Sequence, residues 1–131
     1  MLRRVFLKSL AMLASGLAVN APVRAATAQG RWTTLQVSPL AGFQYHEGET
    51  LWPLLAAGQP LELVREHGNP YDARAIRVDW QGRKLGYIPR MDNAAVAQLL
   101  DRGVTVRAHV AGLQENRSPW ERVQVEVSLW M

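Results

Sequence analysis

The stretch Glu121 to Leu129 constrains the fold more than any other part of the chain. It sets Val123, Val125, Val127 and Leu129 on one side and Gln124, Glu126 and Ser128 on the other. Side chains alternate faces along a strand, so this pattern predicts an antiparallel strand with one buried face. Val104-Thr-Val-Arg-Ala-His-Val110 repeats the pattern, with Val104, Val106, Ala108 and Val110 inward and His109 outward and solvated. Two such strands cannot be stable alone, and the chain must supply partners that close a sheet over the valine face.

Partners are legible upstream. Trp32-Thr-Thr-Leu-Gln-Val37 reads as a strand ended by Ser38-Pro39, with Leu35 and Val37 sharing a face. Leu61 to Arg65 is a second strand. Ala75 to Trp80 and Lys84 to Ile88 flank Gln81-Gly82 as a hairpin. Leu51-Trp-Pro-Leu-Leu-Ala-Ala57 suggests one or two helical turns, with Pro53 in the first and Gly58 as the stop. A longer helix follows Pro89. Asp92 or Asn93 caps it, Val96, Leu99 and Leu100 form its apolar face, and Gly103 ends it. The expected architecture is mainly β with one or two helices, a small modified β-barrel of five to six strands.

The first 28 residues stand apart from this domain. Arg3, Arg4 and Lys8 precede a short apolar run from Leu10 to Val19, and small residues offer cleavage after Ala25 or Ala28. The run is too short for a bilayer, which needs roughly 20 residues. Arg3-Arg4-Val-Phe-Leu-Lys8 resembles the twin-arginine export signal, with Leu2 where that signal has Ser or Thr. The resemblance implies passage through the twin-arginine machinery as a folded protein, a periplasmic or secreted location, and no stable membrane anchor after cleavage. An ordinary secretory signal is the alternative.

Charge must then be counted on residues 29–131 alone. Four of the 15 Lys and Arg residues lie before Gln29 and no acid does, which leaves 11 basic against 11 acidic residues. Overall charge gives no reason to expect nucleic acid, so any such affinity must come from a local patch. With no cysteine in the chain, disulfides, lipid attachment and thiol chemistry are excluded. Five tryptophans and 48% hydrophobic residues are enough for a core without staples, and the tryptophans are expected in the core or at its rim.

Catalytic patterns are absent. No serine sits in a Gly-x-Ser-x-Gly setting, no Gly-rich phosphate loop occurs, and the three histidines lack paired spacing. His46 and His67 are the only weak metal candidates. They flank separate loops, and no cofactor is expected beyond zinc as a remote alternative.

The informative run is Leu63-Val-Arg-Glu-His-Gly-Asn-Pro-Tyr-Asp-Ala-Arg-Ala-Ile-Arg-Val78, followed by Lys84-Leu-Gly-Tyr-Ile-Pro-Arg90 and preceded by Gly42-Phe-Gln-Tyr-His-Glu-Gly48. It closely resembles the HIRAN domain, over about Leu35 to Leu113, and the domain is placed at residues 29–131. The resemblance implies an OB-like barrel and a non-enzymatic module that binds single-stranded nucleic acid at a free 3′ end. In a eukaryotic fork-remodelling ATPase such a domain captures that end. Matched residue by residue, the resemblance assigns base stacking to Tyr45 and contact with the terminal nucleotide to Tyr71. Asp72 would accept a hydrogen bond from the 3′-hydroxyl, with Asn69 beside it. Arg90, together with Lys84 or Arg74, would hold phosphates. Two positions depart from the DNA-binding relative: Gln44 replaces a basic residue and Gly68 an Asn.

HIRAN domains elsewhere are fused to helicases and nucleases, so acid-anhydride hydrolysis or zinc binding is the alternative the family name carries. This chain lacks the motor motifs and cysteine ligands those activities use. A structural or protein-binding periplasmic domain is the third reading. Read as turn chemistry alone, Asn-Pro-Tyr-Asp would make Tyr71 a core-edge aromatic and Asp72 a partner for Arg65, Arg74 or Arg77. Tyr87 reads as a packing residue, and Trp52 as the tryptophan nearest the groove.

Overall fold

Among the described residues, six antiparallel strands form one sheet. They are β1 (Trp32–Pro39), β2 (Pro60–Arg65), β3 (Ile76–Trp80), β4 (Arg83–Tyr87), β5 (Val106–Leu113) and β6 (Val123–Trp130), in the order β1-β6-β5-β2-β3-β4. The structure is a computed structural model that describes residues 30–115 and 117–131. The export segment read at residues 1–28 lies outside the described residues. Among the described residues no helix is long and apolar enough to cross a membrane.

The sheet curls until its edges meet. Just past β1, Ala41 pairs antiparallel with Tyr87 at the end of β4, exchanging two backbone hydrogen bonds of 2.9 Å each. This one bridge joins the two ends of the sheet just past β1, while the outer side of β1 itself stays an edge. Gly86 makes the approach feasible: a Cβ there would lie 2.2 Å from the Ala41 carbonyl oxygen. The β3–β4 hairpin turns on Gln81 and Gly82, both with positive φ (48° and 79°), the geometry whose twist matches that of the flanking strands.

The core is the barrel interior. Val123, Val125 and Val127 of β6 are fully buried against Val110, Ile76 and Leu85. Helix α2 (Ala94–Asp101) covers one end with Val96 and Ala97, and Leu100 packs against the same cluster. The other end is plugged by Phe43, over which a short helix α1 (Gly48–Leu51) and a 3₁₀ turn (Trp52–Leu54) are laid. A Cβ on Gly48 would sit 2.4 Å from the Phe43 ring, so glycine lets the helix lie flat on the plug.

Several details differ from the sequence reading. Strand β1 does not stop at Ser38-Pro39; Pro39 stays paired with Gln124. A proline is tolerated in an edge strand, where its missing N–H faces no neighbour. The register shifts between Thr34 and Gln36, and this bulge leaves Val37 53% exposed, off the face it was expected to share with Leu35. Ser128, expected outward, is only 3% exposed, while Leu129 is half-buried. Val104 precedes β5 instead of opening it, and His109 is half-buried with Glu126 3.4 Å away. The helix expected over Leu51–Ala57 begins earlier, inside the opening loop.

Candidate functional site

The segment between β2 and β3 is folded by its own side chains. Asn69 Oδ1 accepts from the backbone N–H of Tyr71 (2.8 Å) and of Asp72 (3.1 Å), and Asn69 Nδ2 donates to Glu66 Oε1 (3.1 Å). Both ends of that amide are engaged in shaping the turn, which is what an Asn-Pro turn offers. The next residue is thrown outward, leaving Tyr71 83% exposed. The tyrosine is therefore not a core-edge aromatic.

Asp72 is held at both oxygens. Oδ1 accepts from the Arg74 backbone N–H (2.9 Å) and Oδ2 from Asn93 Nδ2 (2.8 Å). The Arg74 backbone bond, followed by the Asn93 bond and the charges of Arg90 and Arg74, outweighs burial and holds this carboxyl below the usual aspartate value. Of the arginines expected as partners, only Arg74 is one, and through its backbone. Arg65 instead pairs with Asp101 (2.9 Å), and Arg77 with Asp79 (2.9 Å) and Glu66 (3.2 Å).

Beside this turn lies an open groove of roughly 500 Å³. Tyr87, Ile88, Ala41 and Ala75 are among the residues lining it, as are His46, Lys84 and Arg90, along with Asn69, Tyr71 and Asp72. Lys84 Nζ stands 4.7 Å from the centroid of the Tyr87 ring, and the His46 ring meets that ring edge to face at 5.9 Å. The Arg90 guanidinium donates to the Tyr71 carbonyl and so ties the turn to the segment after β4. Tyr87, read from sequence as packing, is a lining residue whose hydroxyl donates to Glu66 Oε1 (2.7 Å). Burial raises the pKa of Glu66, but the bonds from Tyr87, Asn69 and Arg77 and the charge of Lys84 prevail and hold it low. The pKa of His46 is lowered as well, by burial first and then by Lys84, which for a base favours the neutral ring.

The sequence-derived residues thus divide. Asn69, Tyr71, Asp72, Lys84 and Arg90 are gathered around one groove. Tyr45 is 78% exposed at the end of a 3₁₀ turn and does not line the groove, although the next residue, His46, does. Trp52 packs on Phe43 (5.9 Å) beneath Arg122 and does not line the groove either. Arg74 lines a separate, smaller depression with Gln98, Asp101 and Arg102. The two histidines weighed as metal ligands have different partners, His46 the Tyr87 ring and His67 the Asp101 carboxylate at 2.9 Å. Among the described residues no group of three or more His, Cys, Asp or Glu side chains is placed to hold a metal ion. Glu66 and Asn93 were not picked out as site residues. Glu66 could have been found as the carboxylate directly ahead of the turn, whereas nothing in the spacing of Asn93 points to Asp72.

Chemically the groove offers an exposed aromatic, a fixed carboxylate acceptor and two cations. Its lining contains no serine or threonine hydroxyl. That set can bind a planar, anionic ligand bearing a hydroxyl group.

The chain matches the HIRAN domain family over residues 34–131. A crystal structure of a protein from Lactobacillus plantarum is similar at 28% identity with a TM-score of 0.67, covering 77% of this chain and 97% of that one. The crystal structure of the HIRAN domain of human HLTF is similar at 20% identity with a TM-score of 0.63, covering 78% of this chain and 79% of that one, and shows the same fold. No curated protein matches the chain.

Proposed function

The chain belongs to the HIRAN domain family, and from that premise we propose that it is a binding module whose groove receives the free 3′ end of a single-stranded nucleic acid. The observation that carries this reading is Asp72, an ionised carboxylate anchored on the groove wall between exposed Tyr71 and the cation Arg90. A carboxylate can accept from a terminal hydroxyl, but it repels the phosphate that a continuing strand would bring to the same place. Stacking on an aromatic face is tolerant of sequence and contributes about 1–3 kcal/mol per base. Lys84 and Arg90 supply positive charge for the backbone phosphates, and no net charge on residues 29–131 is needed for that.

Tyr45 enters the reading as an outer platform one residue from the groove wall, so that a second base stacks beyond the groove itself. Gln44, where the DNA-binding relative is basic, removes one phosphate contact and predicts modest affinity. The module is read as acting by binding alone, a reading supported by the groove's carboxylate, Asp72, being engaged by structural donors at both oxygens.

Fluorescence anisotropy with labelled oligonucleotides tests the proposal. Single strands ending in a 3′-hydroxyl should bind at least tenfold more tightly than the same strands ending in a 3′-phosphate. Asp72→Ala should erase the difference, and Tyr45→Ala should weaken both. Equal binding of the two ends by the wild-type domain would overturn it.

A further inference from the structure

Asn93 occupies the position just before α2, where an asparagine ordinarily caps the helix with its side-chain oxygen. Here it makes no side-chain cap bond. Its backbone is itself helical (φ −95°, ψ −11°), because the 3₁₀ turn Arg90–Asp92 runs straight into the helix. A capping residue needs extended backbone to swing its oxygen over the first N–H groups, so this geometry withdraws Asn93 from that role. The side chain is instead fully buried (0% exposed), with Nδ2 donating to Asp72 Oδ2 at 2.8 Å. The other end of the amide, Oδ1, is buried without a hydrogen-bond partner.

Two local costs are therefore accepted for one contact, an uncapped helix and an orphaned buried acceptor. Buried polar groups are nearly always satisfied, and departures from that rule concentrate where function sets the geometry. We infer that Asn93 is a positioning residue that holds Asp72 in the orientation that reads a strand end, at the expense of the helix it begins. The donor fixes which carboxylate oxygen points inward and keeps that carboxylate ionised beside Arg90 and Arg74, the two charged groups that act on it. The residue lies 21 positions from its partner in sequence, on a different element, and belongs to neither motif of the turn.

The effect on end recognition rests on the proposed function, but the contact itself can be tested without any ligand. Serine is too short to reach Asp72, and the helical backbone at position 93 withholds the capping role from it as well. Asn93→Ser therefore removes the donor and should lower thermal stability by no more than the loss of one hydrogen bond. In the same variant the Asp72 carboxyl, followed by NMR titration of the free protein, should titrate at higher pH than in the wild type. Asn93→Asp, which keeps the size and replaces the donor with a second carboxylate, should move it further upward. If the Asp72 titration is unmoved in both variants, the inference fails. With oligonucleotides, Asn93→Ser should reduce the preference for a 3′-hydroxyl over a 3′-phosphate at least fivefold. A wild-type domain with no such preference would sink the proposed function, and the titration would still decide the role of Asn93.

Discussion

The hydroxyl of Tyr87 donates to Glu66 Oε1 across 2.7 Å, joining the end of β4 to the start of the turn that carries Asp72. Glu66 also accepts from Asn69 (3.1 Å) and from Arg77 (3.2 Å), so one carboxylate links the groove floor, the turn and β3. Tyr87→Phe removes one donor and should cost about 1 kcal/mol in urea unfolding. Glu66→Ala orphans three donors and should cost more, about 2–3 kcal/mol. Equal effects of the two changes would show that Glu66 is not the junction described.

Barrel closure supplies a second prediction. Gly86→Ala places a Cβ against the Ala41 carbonyl oxygen, a backbone atom that cannot rotate away. The seam must spread, at a cost of about 1–3 kcal/mol by analogy with overpacking. Thermal unfolding of the variant checks this, and hydrogen exchange should locate the loss at Ala41 and Tyr87.

Acid sensitivity follows from the shifted groups, with opposite assignments. Glu66 and Asp72 have lowered pKa values in the folded state, from ordinary values of 4.5 and 3.8. Each therefore contributes stability that is complete above its ordinary value and lost as pH falls through the lowered one. His46 has a lowered pKa as a base, so the unfolded chain takes up its proton first and stability declines as pH drops below 6.5. Melting temperature should thus begin to fall below pH 6.5 in the wild type but hold until about pH 4.5 in His46→Gln. Glu66→Gln should flatten the steeper fall below that.

The fold was largely legible because its strands obey a strict period of two. Val123, Val125 and Val127 announced the buried face, and Gln81-Gly82 announced the hairpin. What escaped was set by bulges and closure: Val37 lost its face to a shift at Thr34–Gln36, and no local pattern tells that Ala41 will meet Tyr87. For the groove, the turn residues were readable because Asn, Pro and Asp have intrinsic turn chemistry. Glu66 and Asn93 act through long-range contacts, which a linear pattern does not encode.

Tyr71 offers the cleanest separation of binding from folding. Because its side chain is 83% exposed, Tyr71→Ala should change stability by no more than about 0.5 kcal/mol. The same change should weaken single-strand binding by about 1–3 kcal/mol. Paired chemical-denaturation and anisotropy measurements check both, and a large loss of stability would mean that the tyrosine packs rather than binds.

The opening residues carry an independent expectation. Replacing Arg3 and Arg4 by lysine should abolish export if the twin-arginine route is used, and cell fractionation reads the result. Undiminished export would point to the general secretory route.

Ala41 and Tyr87 do two jobs at once: their backbones fasten the barrel and their side chains line the groove. A ligand resting on both sides of that joint acts as a clasp, because an unfastened barrel no longer offers the same groove. Occupancy and closure then share one free energy, and the domain is hardest to pry apart when it is loaded.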